Sequence, residues 1–237
     1  MGSFLIYIIK SGCCLTLFYV GYKFLLSKET FFHFNRKILL TGMLVCMLLP
    51  LIKIKTNTAV IIQQPMMQLE KLITEEDRTY IFTTNDEAIS TPMLKGGDLR
   101  VNLTALIFII GCLVNFFLLV RSHISLYLLI RNGRKIATEH CTIVILNKPV
   151  IPFNYGRYII ISEKDYKDHT DTVLTHEMAH YRFFHSLDVV IIESLILLQW
   201  FNPFVRLLKK ELCKIHEFQA DAEVLETGID VTKYKLL

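Results

Sequence analysis

Three residues, His176, Glu177 and His180, stand in the order His-Glu-x-x-His. On a helix, residues four apart lie one turn apart on the same face, so both imidazoles can reach one metal ion. Zinc suits such a pair, because it takes imidazole ligands, has no redox chemistry and accepts an open fourth position for water. It lowers the pKa of that water and polarises a carbonyl. Glu177, beside the first imidazole, projects where it can take a proton from the water and pass it to a departing amine. A catalytic zinc needs a third protein ligand. The candidate is Glu217 in His216-Glu217-Phe218-Gln219-Ala220-Asp221. Asp221 follows one turn later, where it can accept the free ring N–H of a ligand histidine. His185, Glu193, Glu211, His216 and Glu223 are rival ligands, since Glu-x-x-x-Asp is a weak pattern alone. The bland alternative is a surface helix carrying two solvated histidines.

These side chains must be positioned by a helix, a sheet and a second helix. Thr170 or Asp171 can cap a helix beginning at residue 172. Before it, residues 142–146 and 157–162 are short β-branched and aromatic runs, separated by the turn residues Pro149, Pro152, Asn154 and Gly156. They read as two strands of a small sheet. A sheet edge beside a peptidase helix can pair with an extended substrate, which makes Phe153, Asn154, Tyr155 and Gly156 candidate substrate-binding residues. Between the two metal helices, residues 187–201 are apolar apart from Asp188, Glu193, Ser194 and Gln199. At about 1.5 Å per residue this run is too short to cross a bilayer comfortably. It reads as a helix packed against a membrane bundle, dipping into the interface or buried in the core. Arg206, Lys209, Lys210 and Lys214 form a basic face expected to be solvated or to touch lipid headgroups. Tyr181, His185 and Arg206 are candidate oxyanion partners by proximity in sequence alone.

The rest of the chain speaks of membranes. Its 237 residues are 52% hydrophobic and 20% charged, and the apolar residues collect in long uncharged runs rather than spreading evenly. That pattern excludes a disordered chain, a collagen-like repeat and an ordinary cytosolic enzyme. Residues 4–26, interrupted only by Lys10, residues 38–52 and residues 101–120 read as about three membrane spans. The third continues as a helix toward Gly133. Lys23, Lys28, Arg36 and Lys37, then Arg121, Arg131, Arg134 and Lys135, predict two cytoplasmic flanks, an outward-facing acidic loop at 56–98 and an outside N-terminus. The basic residues form no run that would track a phosphate backbone, so nucleic acid is not an expected partner. Four of the six cysteines lie in apolar runs and none forms a CxxC pair, so neither a disulfide framework nor a cysteine zinc site is read.

The order of these features resembles the BlaR/MecR-type integral-membrane zinc metallopeptidases of bacteria, whose zinc helices are gluzincin-like. The resemblance is carried by the N-terminal bundle, His176-Glu-Met-Ala-His180, an apolar helix ending Gln-Trp-Phe-Asn-Pro-Phe, and Glu217-Phe-Gln-Ala-Asp221. It implies that His176, His180 and Glu217 hold Zn2+, that Glu177 is the catalytic base and that Asp221 supports a ligand. It also implies cleavage of a repressor, of the chain itself, or of both, in response to a signal at a bacterial cytoplasmic membrane. The sequence carries no Ser-x-x-Lys and no Lys-Thr-Gly, so a β-lactam acylation site of the family's sensor domain is not expected here. Residues 233–237 carry no helix stop signal, as expected of a truncated chain. The expected architecture is mostly α: a transmembrane helical region at residues 1–130 and a small cytoplasmic α+β zinc-peptidase domain at residues 131–237. A prenyl-protein or quality-control membrane peptidase shares the zinc signature, and a non-catalytic signalling scaffold retaining the motif is the alternative from another class.

Overall fold

The long apolar runs fold as helices because few other conformations satisfy every backbone group without water. In the computed structural model, which describes residues 2–27, 29–52, 96–168 and 170–227, α1 is Gly2–Leu25, α2 is Phe32–Leu48 and α3 is Gly96–Asn132. A 3-10 turn, Leu49–Leu51, extends α2. Three stretches, Phe4–Leu25, Phe32–Leu51 and Leu103–Asn132, are long and apolar enough to cross a membrane. Along α3, large apolar side chains such as Leu113, Phe117 and Leu118 stay exposed, a surface that calls for lipid rather than water. The expected loop at 56–98 lies outside the described residues up to residue 95, and the end at 233–237 lies outside them as well.

α2 begins six residues before the expected start at 38. The charges of Arg36 and Lys37 interrupt the apolar pattern there, but the donors of Asn35 and Arg36 find protein partners, while the buried Asn35 Oδ1 has none among the described residues. Asn35 donates to the carbonyls of Leu26 and Glu29 at 3.3 and 3.0 Å, and Arg36 reaches a carboxylate described below.

After Gly133 come β1 (Arg134–Ala137), β2 (Thr142–Leu146), β3 (Phe153–Tyr155) and β4 (Tyr158–Ser162). Their order in the sheet is β1-β2-β4-β3, with β2 and β4 parallel and the other pairs antiparallel. Two of these strands were not expected. β1 is an edge strand with mostly exposed side chains and shows no alternation, so its Arg134-Lys135 start read as the end of a helix. β3 is only three residues long. It pairs with β4 through a two-residue turn at Gly156-Arg157, where Gly156 takes φ +57°, a conformation suited to glycine.

Alternation splits the central strands between two faces. Ile143, Ile145, Ile159 and Ile161 pack with Val173, Leu174 and Met178 on one side. Val144, Leu146 and Ile160 pack with Leu126, Leu129 and Ile130 of α3 on the other. The sheet is thus held between the end of a membrane-length helix and the helix carrying the histidine pair.

That helix, α5, is Thr170–Arg182, beginning two residues before the expected start at 172, and a short α4, Glu163–Asp168, precedes it. Phe184, at φ 55° and ψ 36°, breaks the chain between α5 and α6 (His185–Leu198). A bulky residue in this left-handed region costs about 1–2 kcal/mol. The Phe183 carbonyl beside it accepts from Arg36 at 2.6 Å. α7, Pro203–Glu226, starts with a Pro in its first turn and with Asn202 capping the Phe204 N–H at 3.0 Å.

The apolar run 187–201 is therefore the descending arm of a helical hairpin. Its tip is clamped to α1 by buried hydrogen bonds, from Gln199 to the Ile8 carbonyl and Ser11 at 3.0 and 2.7 Å, and from Asn202 to the Gly12 carbonyl at 3.2 Å. Trp200 lies so close to Gly111 of α3 that a Cβ there would sit 2.2 Å from the indole. The hairpin tip thus reaches the level of the membrane-length segments. Its core joins Leu15, Leu39, Met43, Ile192, Val205, Leu208 and Leu212, residues from both sides of the expected boundary at residue 130. The basic face of α7 is partly neutralised rather than free: Lys209 pairs with Glu193, and Lys214 lies 3.3 Å from Glu211.

Candidate metal centre

The α5 helix places His176 and His180 one turn apart, as their spacing requires, with their Nε2 atoms 3.2 Å from each other. Glu217 on α7 supplies a carboxylate, 3.4 Å from His176 Nε2 and 3.8 Å from His180 Nε2. These three residues could hold a metal ion. Each rival ligand is engaged elsewhere. Glu193 pairs with Lys209, Glu211 with Lys23 at 2.7 Å, and Glu223 with Arg182. His216 donates Nε2–H to Asp188 at 2.8 Å, and His185 stands behind His180 rather than beside it.

Asp221 lies 3.2 Å from His176 Nδ1. A carboxylate there accepts the Nδ1 proton and fixes the ring. Glu177 is buried at 6% exposure beside the cluster. Its burial pushes the carboxyl up to about 7; the charge of Glu217 adds to the rise and that of His176 opposes it. Burial also pulls His180 down to about 4 and His185 down to about 3, so both rings are neutral near pH 7. For His176, burial acts downward, but Glu217, Glu177 and Asp221 outweigh it and raise the pKa. The hydrogen bond with His176 holds Glu217 below the usual carboxylate range against the effect of its burial.

The cluster opens into a cavity of about 550 Å³ whose lining includes Phe153, Asn154, His176, Glu177, His180 and Glu217. Phe153 and Asn154 belong to β3, an outer strand of the sheet. A small polar clip sets this edge. Ser186 donates to Asn154 Oδ1 at 3.0 Å and accepts the Gly156 N–H at 3.1 Å. Tyr155 and Gly156, grouped with Phe153 and Asn154 at the sequence level, do not line this cavity. Tyr155 borders a separate groove against α3, with its ring 6.0 Å from that of His123. Of the candidate oxyanion partners, Tyr181 and Arg206 do not line the cavity either. His185 does, but both of its ring nitrogens already have partners.

Sequence reasoning missed the polar residues behind the cluster. Arg36 of α2 donates to Asp188 at 2.6 Å, and His216, on the other side of that carboxylate, stacks on His185 with centroids 4.0 Å apart. Gln219 bonds both His185 and His33. One signal was available: Gln219 continues the buried stripe Val205, Leu208, Leu212, Ile215, and a polar group on such a stripe needs a partner.

No family model matches this chain, and no curated protein is similar enough to it to count as a match.

Proposed function

We propose that the chain is a membrane-embedded, zinc-dependent endopeptidase of the BlaR/MecR type, cutting a cytoplasmic or membrane-proximal protein, or itself, in signal transduction. The observation that carries this reading is the convergence of two imidazole nitrogens and one carboxylate at 3.2–3.8 Å beside a buried glutamate. Ligands about 2.0–2.1 Å from a tetrahedral centre stand about 3.3–3.4 Å apart, so the donor set suits zinc. Zinc, held by His176, His180 and Glu217, would supply a Lewis acid that polarises a carbonyl and lowers the pKa of a water.

The protein's own groups account for the remaining steps. Glu177, with a pKa near neutrality, takes the proton of the attacking water and returns it to the leaving amine. Asp221 holds the His176 ring. The side of β3 left unpaired among the described residues offers main-chain hydrogen bonds to an extended segment of substrate, which demands little of its sequence. The depth of the site supports a membrane-proximal substrate. Lys23, in the last turn of α1, pairs with Glu211, and Glu217 lies about 9 Å further along α7. The cluster therefore stands less than two turns beyond the end of a membrane-length helix.

The test is proteolysis by the full chain, purified in detergent with zinc, measured as self-cleavage and as cleavage of an unfolded protein. Glu177→Ala is expected to keep its zinc and lose on the order of 10²–10⁴ in rate. Cleavage at the wild-type rate by this variant would remove the peptidase reading.

A further inference from the structure

Behind the metal-ligand cluster, four side chains form an unbroken line of hydrogen bonds. His33 Nδ1 lies 2.8 Å from Gln219 Nε2, Gln219 Oε1 lies 3.1 Å from His185 Nε2, and His185 Nδ1 lies 2.8 Å from His180 Nδ1. The two middle residues are each only 3% exposed, so water does not compete for their bonds. Stacking on His216 holds the plane of the His185 ring.

We propose that Gln219 and His185 are positioning residues that fix the tautomer of His180, so that its Nε2 lone pair faces the metal-ligand cluster. The contact between the two Nδ1 atoms is ambiguous by itself, because either imidazole could donate. The amide resolves it. An amide oxygen only accepts, so the proton of His185 sits on Nε2. A neutral imidazole has a single N–H, which leaves His185 Nδ1 as an acceptor, and His180 must donate its Nδ1 proton to it. His180 Nε2 is then a lone pair, 3.2 Å from the Nε2 of His176, whose Nδ1 lies 3.2 Å from Asp221. At its other end the amide donates from Gln219 Nε2 to His33 Nδ1. A reversed amide would reverse every bond in the line and aim an N–H at the cation site. Carboxylates and backbone carbonyls commonly orient metal-binding histidines; here a glutamine does so through an intervening histidine. Because His33 belongs to α2, the line ties one metal ligand to a membrane-length helix.

The proposal rests on the metal-peptidase reading for what His180 does next, and its test separates the two. Full-length protein labelled with 15N-histidine is examined without metal, with His180 assigned by its absence in His180→Ala. The expected spectrum has His180 protonated at Nδ1 and bare at Nε2, and Gln219→Leu loses this preference. Zinc affinity, measured by competition with a chromogenic chelator, is expected to fall 10–100-fold in Gln219→Leu and in His185→Phe. Gln219→Glu keeps an acceptor facing His185 and is expected to keep wild-type affinity, which distinguishes positioning from a general packing role. A wild-type His180 protonated at Nε2 would overturn the proposal, as would undiminished zinc affinity in Gln219→Leu or a loss in Gln219→Glu as large as in Gln219→Leu. A wild type that shows the expected tautomer but binds no zinc would overturn the metal reading alone.

Discussion

The two halves of α7 lie on one helical stripe and fill it with different chemistry. Val205, Leu208, Leu212 and Ile215 are buried against α1, α2 and α6. Further on, the buried positions carry His216 and Gln219, whose side chains bond Asp188, His185 and His33 on other elements. The first half is held by apolar burial, which is non-directional and tolerates volume-conserving change. The second is held by directional bonds whose loss strands a buried polar group.

The largest effect expected from breaking this contrast is at Asp188, which joins Arg36 to His216. Burial acts to raise the pKa of Asp188, but hydrogen bonds from His216 and Arg36 outweigh it and hold the carboxyl below its usual range. Asp188→Ala leaves the guanidinium unpaired and is expected to cost about 3–5 kcal/mol, read by chemical denaturation in detergent. A carboxyl with a depressed folded pKa contributes stability above its unfolded pKa of about 3.9, and that contribution is lost as pH falls through the folded value. The gap between wild type and Asp188→Ala is therefore expected to narrow below about pH 4.

Leu212→Ala, in the apolar half, sharpens the comparison. It is expected to cost about 2–5 kcal/mol through lost burial and the cavity left behind. That loss should not change as pH falls from 7 to below 4, where the Asp188→Ala gap narrows, and zinc affinity per folded molecule should not change. A Leu212→Ala loss that tracks pH, or an Asp188→Ala loss that ignores it, would erase the distinction between the two halves.

The same distinction explains what could be read from the sequence. His176, Glu177 and His180 were legible because a helix fixes their relative positions without help from the rest of the fold. Glu217 and Asp221 were legible more weakly, since their spacing says that they share a face but not where that face points. The long apolar runs announced the membrane-length helices by composition. Gln219 was illegible in its role, because that role depends on His33, 186 positions away. Arg36 read as a charge setting topology, while its side chain bonds Asp188 and the Phe183 carbonyl. β1 and β3 escaped notice for a local reason: both are short strands at the edges of the sheet, where the alternation that reveals a buried strand is absent.

Zinc stoichiometry tests the central claim most directly. After equilibrium dialysis of the detergent-purified full chain, the wild type is expected to hold about one zinc per chain. Glu217→Ala, folded by circular dichroism, is expected to hold little under the same free zinc. Equal zinc content in the two proteins would contradict the assignment of Glu217 to the metal site.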